Sequence, residues 1–247
     1  MSDNKKHVAW ITGGGSGIGL AGAEALAKEG WTVVISGRRQ DVIDEAVAGI
    51  VKAGGKAEAI VLDVSSAADA DKVAKAILAK HGRIDCLVNS AGLNIPKRNW
   101  DNVSLEGWDQ VVDINLNGLM YCMYAVQPAM VAQKGGTIIN IASWAGHHIS
   151  KLTGPAYVAT KHAVVALTHS FNVEQFQTGV RACCISPAEV ATPIMKKRPV
   201  PPSAEDMARM LQPEDLGRTI SFIANMPPHV CVNEIIISPT WNRAFSL

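Results

Sequence analysis

The chain has 247 residues, 48% hydrophobic and 18% charged, and its 23 Lys and Arg nearly balance 22 Asp and Glu for a formal net charge of +1. That apolar content builds a core and excludes a disordered chain, and the near-zero charge leaves no broad field to draw in nucleic acid or an anionic membrane. No Pro/Gly/Ser-rich linker divides the sequence, so residues 1–247 are expected to form a single domain.

The start, 1–7, is charged and polar, and the apolar stretch 8–11 stops at Thr12 and a run of glycines, too short for a signal-peptide core. Strand-like apolar runs follow at 7–12, 32–36, 57–62, 84–89, 136–142, 181–185 and 232–237. They alternate with segments of helical spacing that begin near Gly17, Asp41, Ala67, Leu105, Pro155, Ser203 and Pro213. Near-continuous Val, Ile, Leu and Cys suits strands covered by helices on both faces, so the expected fold is α/β with a doubly wound, seven-stranded parallel sheet. Ser65 or Ser66 ahead of Asp69, Ser104 ahead of Gly107 and Ser203 ahead of Asp206 supply oxygens where the first free amides of a helix need acceptors. The segment 117–133 carries no charge but is too short to span a bilayer and contains Gln127 and Pro128, so it reads as a buried helix. Cys86, Cys122, Cys183, Cys184 and Cys231 form no C-x-x-C pair, and four of them sit in apolar runs, which suits core packing in a reducing cytoplasm. No metal site is expected.

Directly after the first strand comes Thr12-Gly13-Gly14-Gly15-Ser16-Gly17-Ile18-Gly19, a glycine-rich turn opening a helix whose first amides face whatever the loop encloses. Glycine lets the backbone approach a pyrophosphate closely, so phosphate is the natural guest. The second strand ends Ser36-Gly37-Arg38-Arg39, with glycine where an NAD-binding strand usually ends in an acid. A guanidinium there forms a charged fork to a 2′-phosphate, which favours NADP, with NAD possible; Arg39 reads equally as a solvated charge. Tyr157 and Lys161, four apart on a helix, share a face, so the ammonium can lie under the phenol and favour its ionised form. Ser143 precedes them, and the set reads as an acid/base tyrosine with a partner hydroxyl.

On these residues the chain resembles the short-chain dehydrogenase/reductase family from end to end. The motifs that match are the glycine loop, Tyr157 with Lys161, Leu62-Asp63-Val64, Asn89-Ser90-Ala91-Gly92, Ile114-Asn115-Leu116, Ser143 at the end of Asn140-Ile141-Ala142-Ser143, and Pro187 through Thr192-Pro193. The resemblance implies a Rossmann-like fold, with Tyr157 as general acid or base, Ser143 orienting a carbonyl oxygen, Lys161 holding the ribose and perturbing the tyrosine, and Asn115 supporting a proton-relay water. It assigns the cofactor to Gly13, Gly15, Ser16, Gly17, Ile18, Gly19, Arg38, Arg39, Asp63, Val64, Asn89, Ala91, Gly92, Tyr157, Lys161, Pro187, Ala188, Val190 and Thr192, with Asp63 and Val64 at the adenine. Ser90, Ser186 and Ala188 depart from the pattern, and Ala188 replaces a glycine that lies beside the nicotinamide in the family. The C-terminal part resembles the branch containing 3-hydroxy acid dehydrogenases acting on serine-like substrates.

The expected activity is hydride transfer between NADP and a small or medium carbonyl/alcohol pair, in the cytoplasm, by a homo-oligomer, either dimer or tetramer. A 3-hydroxy acid dehydrogenase and a silent dinucleotide sensor are the alternatives. A substrate lid is expected at about 193–212, and Ser143, Trp144, Ile95, His148 and Met195 are the candidate pocket residues. Lys97, Arg98, Lys151 and Arg198 are the candidate partners for a substrate carboxylate, but each reads first as a solvated surface charge. The apolar Trp144, Ile95 and Met195 tip the expectation towards a neutral carbonyl.

Overall fold

The computed structural model describes residues 7–246. Seven strands, β1 (Val8–Thr12), β2 (Thr32–Gly37), β3 (Lys56–Val61), β4 (Cys86–Asn89), β5 (Gly136–Ile141), β6 (Val180–Pro187) and β7 (Glu234–Ile237), form one sheet in the order β3-β2-β1-β4-β5-β6-β7. Every pairing is parallel, so the expected doubly wound, seven-stranded sheet is present. Eight helices pack on it: α1 (Gly17–Lys28), α2 (Gln40–Lys52), α3 (Ala67–His81), α4 (Leu105–Val112), α5 (Gly118–Ala132), α6 (Pro155–Gln175), α7 (Ala204–Arg209) and α8 (Pro213–Ala224).

The continuous apolar character of the strands has a direct cause. Val8 and Trp10 of β1 enter the core layer shared with α3, α5 and α6, whereas Ala9 and Ile11 enter the layer shared with α1, α2 and α8. Both faces are covered, so both parities are mainly apolar, and the buried polar exceptions such as Ser36, Asn89 and Asn140 are hydrogen-bonded. The edge strands are less constrained: β3 carries Lys56 and Glu58, and β7 has no fully buried residue. Predicted strand ends shift by at most two residues, and β6 runs on to Pro187, bringing its end to the site.

Two helix contacts set where the site forms. A Cβ on Gly217 would fall 2.6 Å from the Ala21 carbonyl oxygen, and one on Gly22 would fall 2.8 Å from Ile220, so α8 lies directly against α1 and holds it over the end of β1. Between α4 and α5, residues Asp113–Asn117 form a π-helical turn, and the three pieces run on as one rod. The helix expected at 117–133 is therefore the second half of a longer element, and the wide turn in its middle carries Asn115. Among the described residues no helix is long and apolar enough to cross a membrane.

Candidate active site

The strand order reverses its direction of travel between β1 and β4, and the loops leaving their carboxyl ends diverge to open a crevice there. Gly13 has φ +65°, and a Cβ on it would lie 2.8 Å from the backbone of Ala91, which follows β4. Gly17 has φ +58° and faces Thr192 from the far wall, 3.1 Å from where its Cβ would stand. Only glycine meets both demands. Ser16 precedes α1 but its side chain makes no capping hydrogen bond, and the first turn of α1 holds no acid. The leading amides of α1 are thus without a side-chain acceptor and point where an anion gains from the helix dipole.

A groove of about 280 Å³ runs from this loop to Ser143 and Tyr157. Gly13, Ser16, Gly17 and Ile18 line one end, Ala91 and Gly92 the floor, Tyr157 and Lys161 one side, and Pro187, Ala188, Val190 and Thr192 the other. Arg38 and Arg39 follow the end of β2 and are exposed, outside the lining of this groove. Asp63 stands near Arg38: hydrogen bonding from Ser65, helped by the Arg38 charge, outweighs burial and holds its carboxyl below the usual range.

At the inner end, Ser143 Oγ accepts from Ala145 N at 3.1 Å, and Ser143 stands close enough to the Tyr157 phenol to lower its pKa. Burial raises the Tyr157 phenol above its ordinary pKa, opposed by Ser143 and by the charges of Arg198 and Arg98. Lys161 Nζ lies 5.6 Å from the centre of the Tyr157 ring and donates to the Ile141 carbonyl at 2.8 Å. Its burial brings the ammonium down to about 8. The expectation that Lys161 ionises the phenol is therefore corrected in part: the cations that pull the phenol down are guanidiniums the sequence did not connect to it, and burial outweighs them.

Several residues act from behind the walls. Asn115 is buried, with Oδ1 accepting from Leu93 N at 2.8 Å and Nδ2 donating to Leu93 O at 2.9 Å, so its amide is committed to shaping the loop after β4. It remains close to the site, since a Cβ on Gly92 would be 3.4 Å from Asn115 Oδ1 and 3.8 Å from Lys161 Nζ. Asn89 does not reach the groove wall; it donates to Asn140, which donates to Thr168, tying β4 to β5 and α6 through the interior. Gly15 packs on Val42 and Gly19 on the Gly13 carbonyl, while Val64 packs on Gly118, so these three support the cofactor end rather than line it. Ala188 has no left-handed backbone, so the alanine there carries no conformational strain.

A second cavity of about 550 Å³ opens beyond Ser143 and Tyr157. Trp144, His148 and Met195 line it, with the Trp144 and His148 rings stacked at 4.4 Å. Ile95 does not: it packs towards Gly107 of α4, and its neighbour Asn94 faces the cavity. His147 also turns away, 3.0 Å from Ser186 Oγ and 2.7 Å from Glu234. Residues from the proposed lid segment, including Ile194, Arg198 and Val200, form one wall, and Trp241 and Arg243 from the C-terminal segment form another. The C-terminal residues, Glu189 and Asn94 were missed in the sequence reading because nothing local marks them. Among the described residues no group of His, Cys, Asp or Glu could hold a metal ion.

The sheet, the glycine loop at its crevice and the paired cavities define a Rossmann-like dinucleotide-fold protein. Its family follows from sequence: the short chain dehydrogenase model matches residues 7–201, and the chain belongs to that family of oxidoreductases. An uncharacterized oxidoreductase of Staphylococcus epidermidis is 33% identical over 241 residues, covering 97% of this chain and all of that protein. One from Staphylococcus aureus is 34% identical over 94% of this chain and 96% of its own length. Among solved structures, a serine dehydrogenase in closed form with NADP+ is 30% identical with a TM-score of 0.86, covering 94% of each chain. A metagenomic short-chain oxidoreductase in complex with NADP is also 30% identical, with a TM-score of 0.83 over 96% of this chain and 99% of that one.

The depressed pKa of Lys161 has a measurable consequence. Between about 8 and the unfolded value near 10.5 the unfolded chain holds a proton on this lysine that the folded chain lacks, so stability rises with pH in that window. Compared with Lys161→Met, the wild-type protein should gain stability as pH increases from 8 to 10 in urea titrations. A flat difference would mean that the ammonium is not titrating in that range.

Proposed function

We propose that the protein is a cytoplasmic, NADP-preferring oxidoreductase for a small or medium carbonyl/alcohol pair. The observation that carries this reading is the placement of Ser143, Tyr157 and Lys161 where the groove from the α1 N-terminus meets the larger cavity. The residues fit a dinucleotide. The amides at the start of α1 and Ser16 would hold the pyrophosphate, Lys161 the ribose next to the nicotinamide, Asp63 the adenine with Val64 packed behind it, and Arg38 with Arg39 a 2′-phosphate. When bound, the nicotinamide gives or takes the hydride.

The chain supplies position and the proton. Ser143 Oγ orients the carbonyl oxygen and shares it with Tyr157, which in reduction donates its phenolic proton to that oxygen as the carbonyl carbon gains the hydride. In oxidation the alcohol proton returns to the tyrosine. Burial keeps Tyr157 protonated at neutral pH, which suits proton donation, and the guanidiniums of Arg198 and Arg98 stabilise the phenolate left behind. Lys161, held by Ile141, keeps a positive charge below about pH 8 beneath the ring. The segment at 193–212 acts as the substrate lid, since its side chains wall both cavities.

The reading includes self-association. Residues 118–132 contain no charged side chain and 155–179 only Lys161 and Glu174, yet Met120, Tyr124, Val173 and Phe176 are exposed on α5, α6 and the turn after α6. Covering that surface with a second copy removes the cost of exposing it.

Three measurements test these statements. With a panel of ketones and aldehydes, Tyr157→Phe should lose about 10² to 10⁴-fold of NADPH-dependent turnover while still binding NADPH by fluorescence; retention of half the activity in a chemistry-limited assay would remove the tyrosine from its role. Arg38→Ala should weaken NADP binding by about 1.5–3 kcal/mol and leave NAD nearly unaffected in calorimetry, and equal losses would end the phosphate assignment. Light scattering across a dilution series should give the mass of a dimer or tetramer rather than one chain.

A further inference from the structure

We propose, building on the oxidoreductase reading, that the substrate is a hydroxy or oxo acid and that Arg98 is the receptor for its carboxylate. Among the described residues, five charged side chains line the larger cavity: the guanidiniums of Arg98, Arg198 and Arg243 and the carboxylates of Glu189 and Asp206. Arg243 donates from Nε and Nη2 to Glu189, each at 2.8 Å, and its Nη1 lies 3.1 Å from Asp206. Arg198 also donates to Glu189. Burial raises the Glu189 pKa, but those hydrogen bonds outweigh it and leave it below the usual range, so it is a carboxylate. Both acids are thus engaged by Arg198 and Arg243, and one positive charge is left over.

That charge is Arg98. Its side chain lies in a residue only 7% exposed, and its Nε is buried with no hydrogen-bond partner among the described residues. The Arg98 carbonyl presses against Gly154, where a Cβ would approach it to 2.1 Å, so the backbone that carries the guanidinium is held closely against the start of α6. Among the described residues the Arg98 guanidinium has no carboxylate beside it in a largely buried setting, and an anion entering the cavity would supply that missing charge partner. The planar fork matches a carboxylate, and Arg98 lines the same cavity as Ser143 and Tyr157. A single surplus charge fits a monoanion better than a phosphate ester.

The remaining lining decides the body of the substrate. Trp144, Leu152, Val200, Pro201 and Trp241 are apolar and surround a volume of about 550 Å³, which suits an aliphatic or aromatic body on the acid. The expectation of a neutral carbonyl is therefore reversed. It read Arg98 first as a surface charge and Ile95 as pocket lining, whereas Arg98 lines the cavity and Ile95 packs towards Gly107 of α4.

The test compares kcat/KM, with NADP+, for 3-hydroxybutanoate and 3-hydroxy-3-phenylpropanoate against their methyl esters. Binding of 3-phenylpropanoate and of 3-phenylpropanamide to the NADP+-loaded protein is followed by calorimetry. Wild-type protein should prefer acids over esters and the phenyl acid over the methyl one. Arg98→Gln should lower the acid-to-ester ratio about 10- to 100-fold and abolish 3-phenylpropanoate binding, with Arg98→Lys recovering part of both. A general effect of Arg98 on Tyr157 would lower acids and esters alike and leave the ratio unchanged, which would overturn the proposal. A wild-type preference for esters, or tighter binding of phenyl phosphate than of 3-phenylpropanoate, would overturn it too, even if Arg98→Gln failed to fold. Failure of the oxidoreductase reading itself would show differently, as wild-type protein that does not bind NADPH.

Discussion

Parallel pairing on both sides of β1 is the constraint from which the site follows. With β2 on one side and β4 on the other, the loops leaving the carboxyl ends must part, and the crevice between them is the one place on that edge where a ligand reaches backbone from both halves. The chain builds the crevice from backbone rather than side chains. Gly13 lies against Ala91, Gly19 against the Gly13 carbonyl, and Gly217 brings α8 against α1, so the helix N-terminus is aimed by contacts that a single methyl group would break. Positioning of an anion at this point is therefore a property of main-chain packing.

The proton-transfer groups depend on a different balance. Tyr157 and Lys161 are both driven by burial towards their neutral forms, the phenol upwards and the ammonium down to about 8. What opposes burial comes from elements remote in sequence: Ser143 after β5, Arg98 after β4 and Arg198 in the segment after β6. The buried Ile141 carbonyl pins Lys161 at one end of this arrangement, and the Asn115 amide pins the loop that carries Gly92 at the other. Electrostatics and geometry are thus set by the same few contacts, and a change in the wall opposite the tyrosine alters its proton affinity as well as the shape of the cavity.

Glu189 joins the two halves of the larger cavity. It receives Arg198 from the segment after β6 and Arg243 from the C-terminal end, while Arg209 of α7 lies 4.8 Å from the Trp241 ring. This wall of the larger cavity is consequently held by ion pairs. Because those pairs use both acids, the unpaired Arg98 becomes the feature by which the cavity distinguishes an anion from a neutral ligand.

The sequence by itself determined the layering, because parallel strands buried on both faces are apolar at nearly every position, and Val8 through Ile11 display that directly. It also determined the glycine loop and the Tyr157–Lys161 pair, because turn geometry and helical spacing act over a few residues. The π-helical turn at Asn115 was not legible, since a widened turn leaves the local pattern of a helix intact. Nor was the split between Ile95 and Asn94, where one step along the chain exchanges a side chain packed on α4 for one facing the cavity. The pairing of Glu189 with Arg243, 54 positions away, and the isolation of Arg98 were decided only by the tertiary structure. Which charges neutralise one another depends on distances in space, and along the chain a buried guanidinium looks the same as a solvated one.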